Sequence, residues 1–468
     1  MNPALQELLQ IRNCSEDARL TLTGSDPIYP THYRVAETGA AVLGAVGVAV
    51  SDIWAMKTGR RQAVTVDTRA AAAALRSFAY LQRREADGSF QTLGNSAAAA
   101  DAYQLIQPFR TKDGRWLLPH FGITHLKERM LKLLGCEPRP DCVAAAIARW
   151  DAQALEDAIA DIGACGGMLR SHAQWRQHSQ GQILAAQPVV QIEKIGESAP
   201  EPFPTSGPPL AGVRVLDLTR ILAGPVAARA CAEQGAEVLM VGAKGVPQIK
   251  NFVIDLSHGK RSCFLDLKRS DQAEQLRTLV RSADVFSQGY RPGVLAARGF
   301  GPQELAAVRP GLIYTSISCY GPEGPFSARA GWEQVAQSVI GICADSGTDQ
   351  PELLPVPACD YLTGYLGAYG ILLALARRAT EGGSYHVNVS LCRSGMLVHD
   401  QGRVAVADRD HDVHGLTDAE VRQWQMQSST PYGELRHLAP AIQYSDTTPQ
   451  WTRPTPALGA DKPQWLDA

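Results

Sequence analysis

The sequence predicts an α/β protein: a Rossmann-like, doubly wound parallel sheet joined to a smaller α+β domain. Three observations predict it. After residue 212, apolar runs of strand length alternate with helix-length stretches, the order that builds a parallel sheet. The chain has 468 residues, too many for one ordinary core. Five prolines fall within GESAPEPFPTSGPPL, residues 196–210, where no apolar period survives, as in a linker between two unequal halves.

Taken in chain order, residues 1–80 are predicted to form a helical segment. Its first twenty residues mix Glu, Arg and Asp and lack the apolar core of a signal peptide. Its longest apolar run, residues 40–50, is too short to span a bilayer. Residues 81–195 are expected to form the small α+β domain: TKDGRWLLPHF reads as strand, turn, strand, and HLKERMLKLLG and DCVAAAIARWDAQALEDAIADIG are helical patterns.

Residues 211–400 form the predicted large domain. VRVLDL is a buried strand, AGPVAARACAEQ a helix, and AEVLMV and SCFLDL further strands. SDQAEQLRTLVRSA is an amphipathic helix with Ser270 at its cap, and DVFSQGY and GLIYTSIS complete the sheet. A ligand is expected at the carboxyl ends of these strands, at the loops in LTRILAG, SQGYRPG and SCYGPEGP. The proline-rich residues 401–468 are expected to run as an extended surface segment.

An internal echo crosses the linker. Thr38-Gly39, an apolar helix, the TGRRQ turn and Val64-Thr65-Val66-Asp67 run parallel to Thr363-Gly364, an apolar helix, the TEGG turn and Val387-Asn388-Val389-Ser390.

Composition excludes several classes. A formal charge of −2 leaves no basic excess for nucleic acid. Ten cysteines are scattered without CxxC or close Cys–His pairing, which argues against zinc or disulfides and for a reduced, cytoplasmic compartment. DRDHDVHG, residues 408–415, reads as a solvated loop before it reads as a metal site. GYLGAYG, residues 364–370, imitates a nucleotide loop but lies in an apolar helical pattern, where small residues permit close packing.

Seven motifs then occur in order: RVLDLTRILAGP, GAEVLMV, GKRSCFLDLK, ADVFSQGYRPG, RPGLIYTSISCYGPEGP, GWEQVAQSVIG and ACDYLTG. In this order they resemble the large domain of family III CoA-transferases, the CaiB/BaiF family. Residues 36–195 resemble what normally follows that domain, including the KDGRW hairpin, and the tail from Thr430 resembles the family's C-terminal end. The order suggests either a fused pair of copies whose first member lacks its nucleotide-binding part, or a partly permuted single copy.

The resemblance implies an enzyme that moves CoA between an acyl-CoA and a carboxylic acid, as an interlocked homodimer with no tightly bound cofactor and no metal, nucleic-acid or membrane partner. In the family, an Asp carboxylate in a Gly-x-Asp motif attacks the thioester, giving an anhydride and then an enzyme–CoA thioester. Here Gly331-Trp332-Glu333 carries that motif, so Glu333 is the implied nucleophile. Its extra methylene displaces the oxygens by about 1 Å, a misplacement that costs roughly 100-fold. The alternatives are that Glu333 only suits the start of the following helix, and that the chain binds acyl-CoA without turnover.

For CoA itself the resemblance points to Leu222 and Ala223 at a helix start, and to Lys244, Lys260, Arg261, Lys268, Tyr290, Arg291 and Tyr320. Gly289 stands where the family often has Asn, and Ala297 where it has Arg, with Arg298 one residue late. Racemases of the same family resemble the chain at Asp360 but carry His where Trp332 stands, so their acid–base pair is incomplete. Asp360 is accordingly expected to cap the helix that follows it.

Overall fold

The computed structural model describes residues 2–13, 17–94, 102–345, 350–405 and 413–466. A seven-stranded sheet organises the large domain, in the order Lys260–Phe264, Glu237–Gly242, Arg214–Leu218, Val285–Gln288, Ile313–Ser318, Ser384–Ser390, Gln191–Gly196. The first six are parallel and the last is antiparallel. The central strands are almost wholly buried because both faces are covered. In Arg214–Leu218, Val215 enters the core shared with the Ala223–Glu233 and Ala358–Glu381 helices, while Leu216 and Leu218 enter the core under the Ser270–Val280 helix. The winding reverses between Arg214–Leu218 and Val285–Gln288, which opens a crevice at their carboxyl ends.

The small domain holds an antiparallel sheet of Phe109–Arg110, Trp116–Pro119 and Gly166–Met168, backed by the helices Thr124–Leu134, Pro140–Ile147 and Ala152–Asp161. Gly114, at φ 76°, supplies the left-handed residue that the KDGRW turn needs.

Four expectations change. The strand Gln191–Gly196 straddles the expected boundary at 195–196 and belongs to the large sheet; its polar sequence, QIEKIG, is that of a half-exposed edge strand. The tail expected as an extended surface segment holds a helix, Asp418–Arg422, and a hairpin, Gln425–Thr430 and Gly433–Leu438, whose second strand joins Gln82–Arg84 and through it Phe90–Thr92 in a four-stranded sheet. Ser270 is the first helical residue, with Arg269 at the cap. Asp360 lies inside the first turn of Ala358–Glu381, whose cap position is Pro357.

The echo has a structural counterpart. Val35–Thr58 and Ala358–Glu381 are both 24-residue helices, and they pack against each other. Each leads into a strand: Val64–Asp67 lies between parallel Leu20–Thr23 and antiparallel Ile442–Tyr444, as Ser384–Ser390 lies between parallel Ile313–Ser318 and antiparallel Gln191–Gly196. Both helices are long and apolar enough to cross a membrane, but their most apolar windows are 78% and 94% buried within the protein. Gly364 shows why GYLGAYG is small: a Cβ there would stand 2.5 Å from the Ala223 carbonyl oxygen on the neighbouring helix.

Two predicted CoA ligands serve the fold instead. Lys260 is wholly buried, its ammonium 2.8 Å from Asp217 and donating to the Pro225 carbonyl. Burial pushes its pKa down, and Asp217 pulls the other way. Arg261 pairs with Glu237 at 3.1 Å and Asp461 at 3.3 Å. Both begin the sheet's edge strand, at its amino end, away from the crevice. Lys260→Met would leave Asp217 buried and uncompensated, so it is expected to cost about 3–5 kcal/mol in urea unfolding; CoA affinity of the folded fraction should hold.

Candidate active site

Two cavities meet at the crevice. The first, about 270 Å³, lies on the loops after Arg214–Leu218, Val285–Gln288 and Ile313–Ser318 and is closed by Ile123, His125 and Leu126 of the small domain. The second, about 280 Å³, lies between Phe78, Ile106, Ile249, Phe252, Leu353 and Val356. Ile221, Leu222, Trp332 and Asp360 line both. Phe78, Ala102, Tyr103, Ile106 and the small-domain residues Ile123, His125 and Leu126 therefore line, within one chain, a site whose floor belongs to the large sheet.

The loop after the first strand is held under strain. Ile221 has φ 74°, a left-handed conformation that a β-branched residue adopts only when its surroundings impose it. The turn ends on Leu222 and starts the Ala223–Glu233 helix, and the Ala223 N–H at that start acts to lower the Asp360 pKa.

The first cavity is cationic. Arg220, Arg291 and Arg329 line it. Arg329 is held by Asp157 at 2.8 Å and by Glu156 at 3.5 Å. Among the described residues, the hydrogen bonds of the Arg220 and Arg291 side chains go to backbone carbonyls, of Pro247 and Gly163, at 3.4 and 3.5 Å, so both can turn toward an anion. With the helix start at Ala223, they provide the donors that phosphate groups require.

Glu333 is buried at the start of the Glu333–Ile340 helix, facing the second cavity only. Its Oε1 accepts from Gln337 Nε2 at 2.6 Å and from the Cys359 N–H at 3.1 Å, and its Oε2 accepts from the Asp360 N–H. The start of the Ala358–Glu381 helix thus grips the carboxylate through two backbone donors. Burial raises the Glu333 pKa, while the bonds from Gln337, Asp360 and Cys359 pull it down. Asp360 is also raised well above its ordinary range, by burial and then by the neighbouring Glu333 charge.

His120 stacks on Trp332 with ring centroids 4.6 Å apart. Its Nδ1 accepts from the Gly122 N–H, and burial lowers its pKa to about 4, so the ring is neutral near pH 7.

The structure gathers some of the expected residues and disperses others. Leu222, Ala223, Tyr290 and Arg291 line the cationic cavity. Lys244, Lys268 and Arg298 are exposed and line neither cavity. Tyr320 is buried and packs edge-on against Phe326, 5.4 Å between centroids; it is a packing residue. Lys260 and Arg261 are the fold's ion pairs described above. Sequence reasoning passed over Arg220, Arg329 and His125, although Arg220 lies within LTRILAG, one of the loops it selected. Residues 408–412 of the acidic and histidine-rich stretch lie outside the described residues; among the described residues, no group of three or more His, Cys, Asp and Glu could hold a metal ion.

Comparison with known proteins agrees with this geometry. The model of CoA-transferase family III matches residues 210–415. An acyl-CoA transferase of Gibberella moniliformis is 32% identical over 415 residues, 75% of this chain and 72% of that protein. The chain belongs to CoA-transferase family III. The human succinyl-CoA:glutarate CoA-transferase is 33% identical over 234 residues, 46% of this chain. This family III chain spans 53% of the human protein's length, about half, as with most of the curated relatives it matches. The crystal structure of a CAIB/BAIF family protein from Brucella suis is 27% identical, with a TM-score of 0.39 over 49% of this chain and 65% of that one.

The raised Glu333 pKa has a consequence for stability. The unfolded chain ionises Glu at its ordinary pKa, so above that value the native state holds more protons, and stability falls as pH rises toward the folded pKa. Glu333→Gln should flatten this fall, by up to about 1.4 kcal/mol per pH unit. Calorimetric melting of both proteins across pH 5–8 checks it; parallel curves would count against the burial of a titrating Glu333.

Proposed function

We propose that this protein moves CoA between an acyl-CoA and a carboxylic acid, with Asp360 in place of Glu333 as the covalent nucleophile. One observation carries the choice: Asp360 is the carboxylate on the wall common to both cavities. A thioester joins a phosphate-bearing CoA to an acyl group. With CoA in the cationic cavity and the acyl group in the apolar one, the reacting carbonyl falls at their junction. A nucleophile must lie within about 3–3.5 Å of that carbonyl. Glu333 opens on the acyl side alone, and both its oxygens already accept hydrogen bonds.

In this reading the Asp360 carboxylate attacks the thioester carbon, the C–S bond breaks, and CoA leaves as thiolate while an Asp360–acyl anhydride forms. The thiolate then attacks the Asp360 carboxyl carbon, releasing the first acid and leaving an Asp360–CoA thioester. The acceptor carboxylate takes CoA by the reverse of these steps. A carboxylate serves because its anhydride keeps the acyl group activated. Glu333 acts through Asp360: its carboxylate holds the Asp360 N–H and so sets the backbone that carries the nucleophile. The Ala223 helix start and the free arginines stabilise developing negative charge.

The repeated unit supports an origin in two partial family copies, the first without its nucleotide-binding half. The free state of all nine described cysteines is consistent with a cytoplasmic location. Phe78 and Ile106 and the small-domain residues Ile123, His125 and Leu126 line the two cavities from the same chain as Asp360, which supports a site built within one chain, whether or not the chain forms the family's homodimer.

Incubation with an acyl-CoA followed by hydroxylamine should leave a hydroxamate at Asp360, found by mass spectrometry of peptides. Asp360→Asn should abolish the adduct and lower turnover by roughly 1000-fold or more. Glu333→Gln should keep the adduct and lose about 10–100-fold, as expected of a residue that misplaces the nucleophile. A hydroxamate on Glu333 would overturn the assignment.

A further inference from the structure

The acyl cavity is chemically one-sided. Phe78 and Phe252 meet edge to face in its wall, with ring centroids 4.7 Å apart and planes at 66°, and Ile106, Ile249, Leu353 and Val356 complete the apolar surface. Among the described residues that line it there is no Lys or Arg. Its imidazole, His120, stacks on Trp332. Gln337 is already engaged at both ends, donating to Glu333 and accepting from the Leu354 N–H. The arginines Arg220, Arg291 and Arg329 all line the other cavity.

A second carboxylate carried into this space would lose its hydration with no counter-cation to replace it, and it would face the carboxyl groups of Glu333 and Asp360. An apolar group meets no such penalty. In size, a cavity of about 150 Å³ accommodates benzene, so 280 Å³ has room for a ring with a short side chain. The crossed pair Phe78 and Phe252 offers an aromatic ring the tilted contacts it prefers.

We propose that the acid exchanged by this protein is an apolar monocarboxylic acid, of the size of a phenyl ring with a short side chain, and not a dicarboxylic acid. The inference rests on the CoA-transferase reading of the site, and the test separates the two. With the full chain and a common acyl-CoA donor, acceptor kcat/KM is measured for phenylacetate, 3-phenylpropionate, hexanoate, succinate and glutarate, and binding of the same free acids is measured by calorimetry.

The aryl acids are expected to exceed the dicarboxylates by about 100-fold or more in kcat/KM, because a site without a partner for a buried charge rejects it strongly. Binding should follow the same order. Ile249→Arg, which puts a cation into the wall, should narrow the glutarate disadvantage at least ~10-fold, with CoA affinity kept as a check on folding. Transfer that favours succinate or glutarate overturns this inference alone. Selective binding of the aryl acids without transfer to any acid supports the cavity's selectivity and overturns the transferase reading. Equal binding of all five acids overturns the inference whether or not transfer occurs.

Discussion

The backbone N–H groups that begin the Ala358–Glu381 helix grip the Glu333 carboxylate, and the site depends on that contact. A helix start carries unsatisfied donors and a partial positive charge. In Ala358–Glu381 those of Cys359 and Asp360 bind a carboxylate from the preceding helix, Glu333–Ile340. The contact ties two helices together at the junction of the cavities and sets the position of Asp360. Both acidic groups are buried there, which raises both pKa values, and the Glu333 charge raises that of Asp360 as well.

Around that junction the protein separates two kinds of surface. The switch point of the parallel sheet brings together the loops that carry Arg220 and Arg291, while the helix start at Ala223 adds backbone donors. The opposite side is built from Phe78 and Ile106 of the first part of the chain and from Phe252, Leu353 and Val356 of the large domain. A thioester is itself divided in this way, into a charged carrier and an acyl group. The strained Ile221, at φ 74°, lies on the boundary and keeps the turn tight enough for both cavities to reach Asp360.

The paired 24-residue helices bring distant parts of the chain to one site. Each helix feeds a strand flanked in the same sense by its neighbours. Glycines such as Gly364 let the second helix approach Ala223–Glu233 closely. Packed side by side, these helices bring residue 78 and residue 360, far apart in the chain, onto the walls of one cavity.

Much of this was legible in the sequence, because it is local. Alternating strand and helix patterns, the turn at Gly114, the loops at the carboxyl ends of the strands, and the small residues of GYLGAYG each carry their meaning within a few residues. The motif order pointed to the family, and the helix start at Leu222 and Ala223 was correctly placed. What could not be read was which charges meet which partners. Lys260 and Arg261 looked like anion ligands until Asp217, Glu237 and Asp461 were found beside them, and the edge strand Gln191–Gly196 looked like part of another domain. The surroundings of Glu333 and Asp360 were of the same kind. Both are carboxylates in matched motifs, and only the folded chain decides that helix-start donors occupy one while the other borders both cavities. Periodicity and turn chemistry belong to neighbours in sequence, whereas the availability of a charge is set by long-range packing.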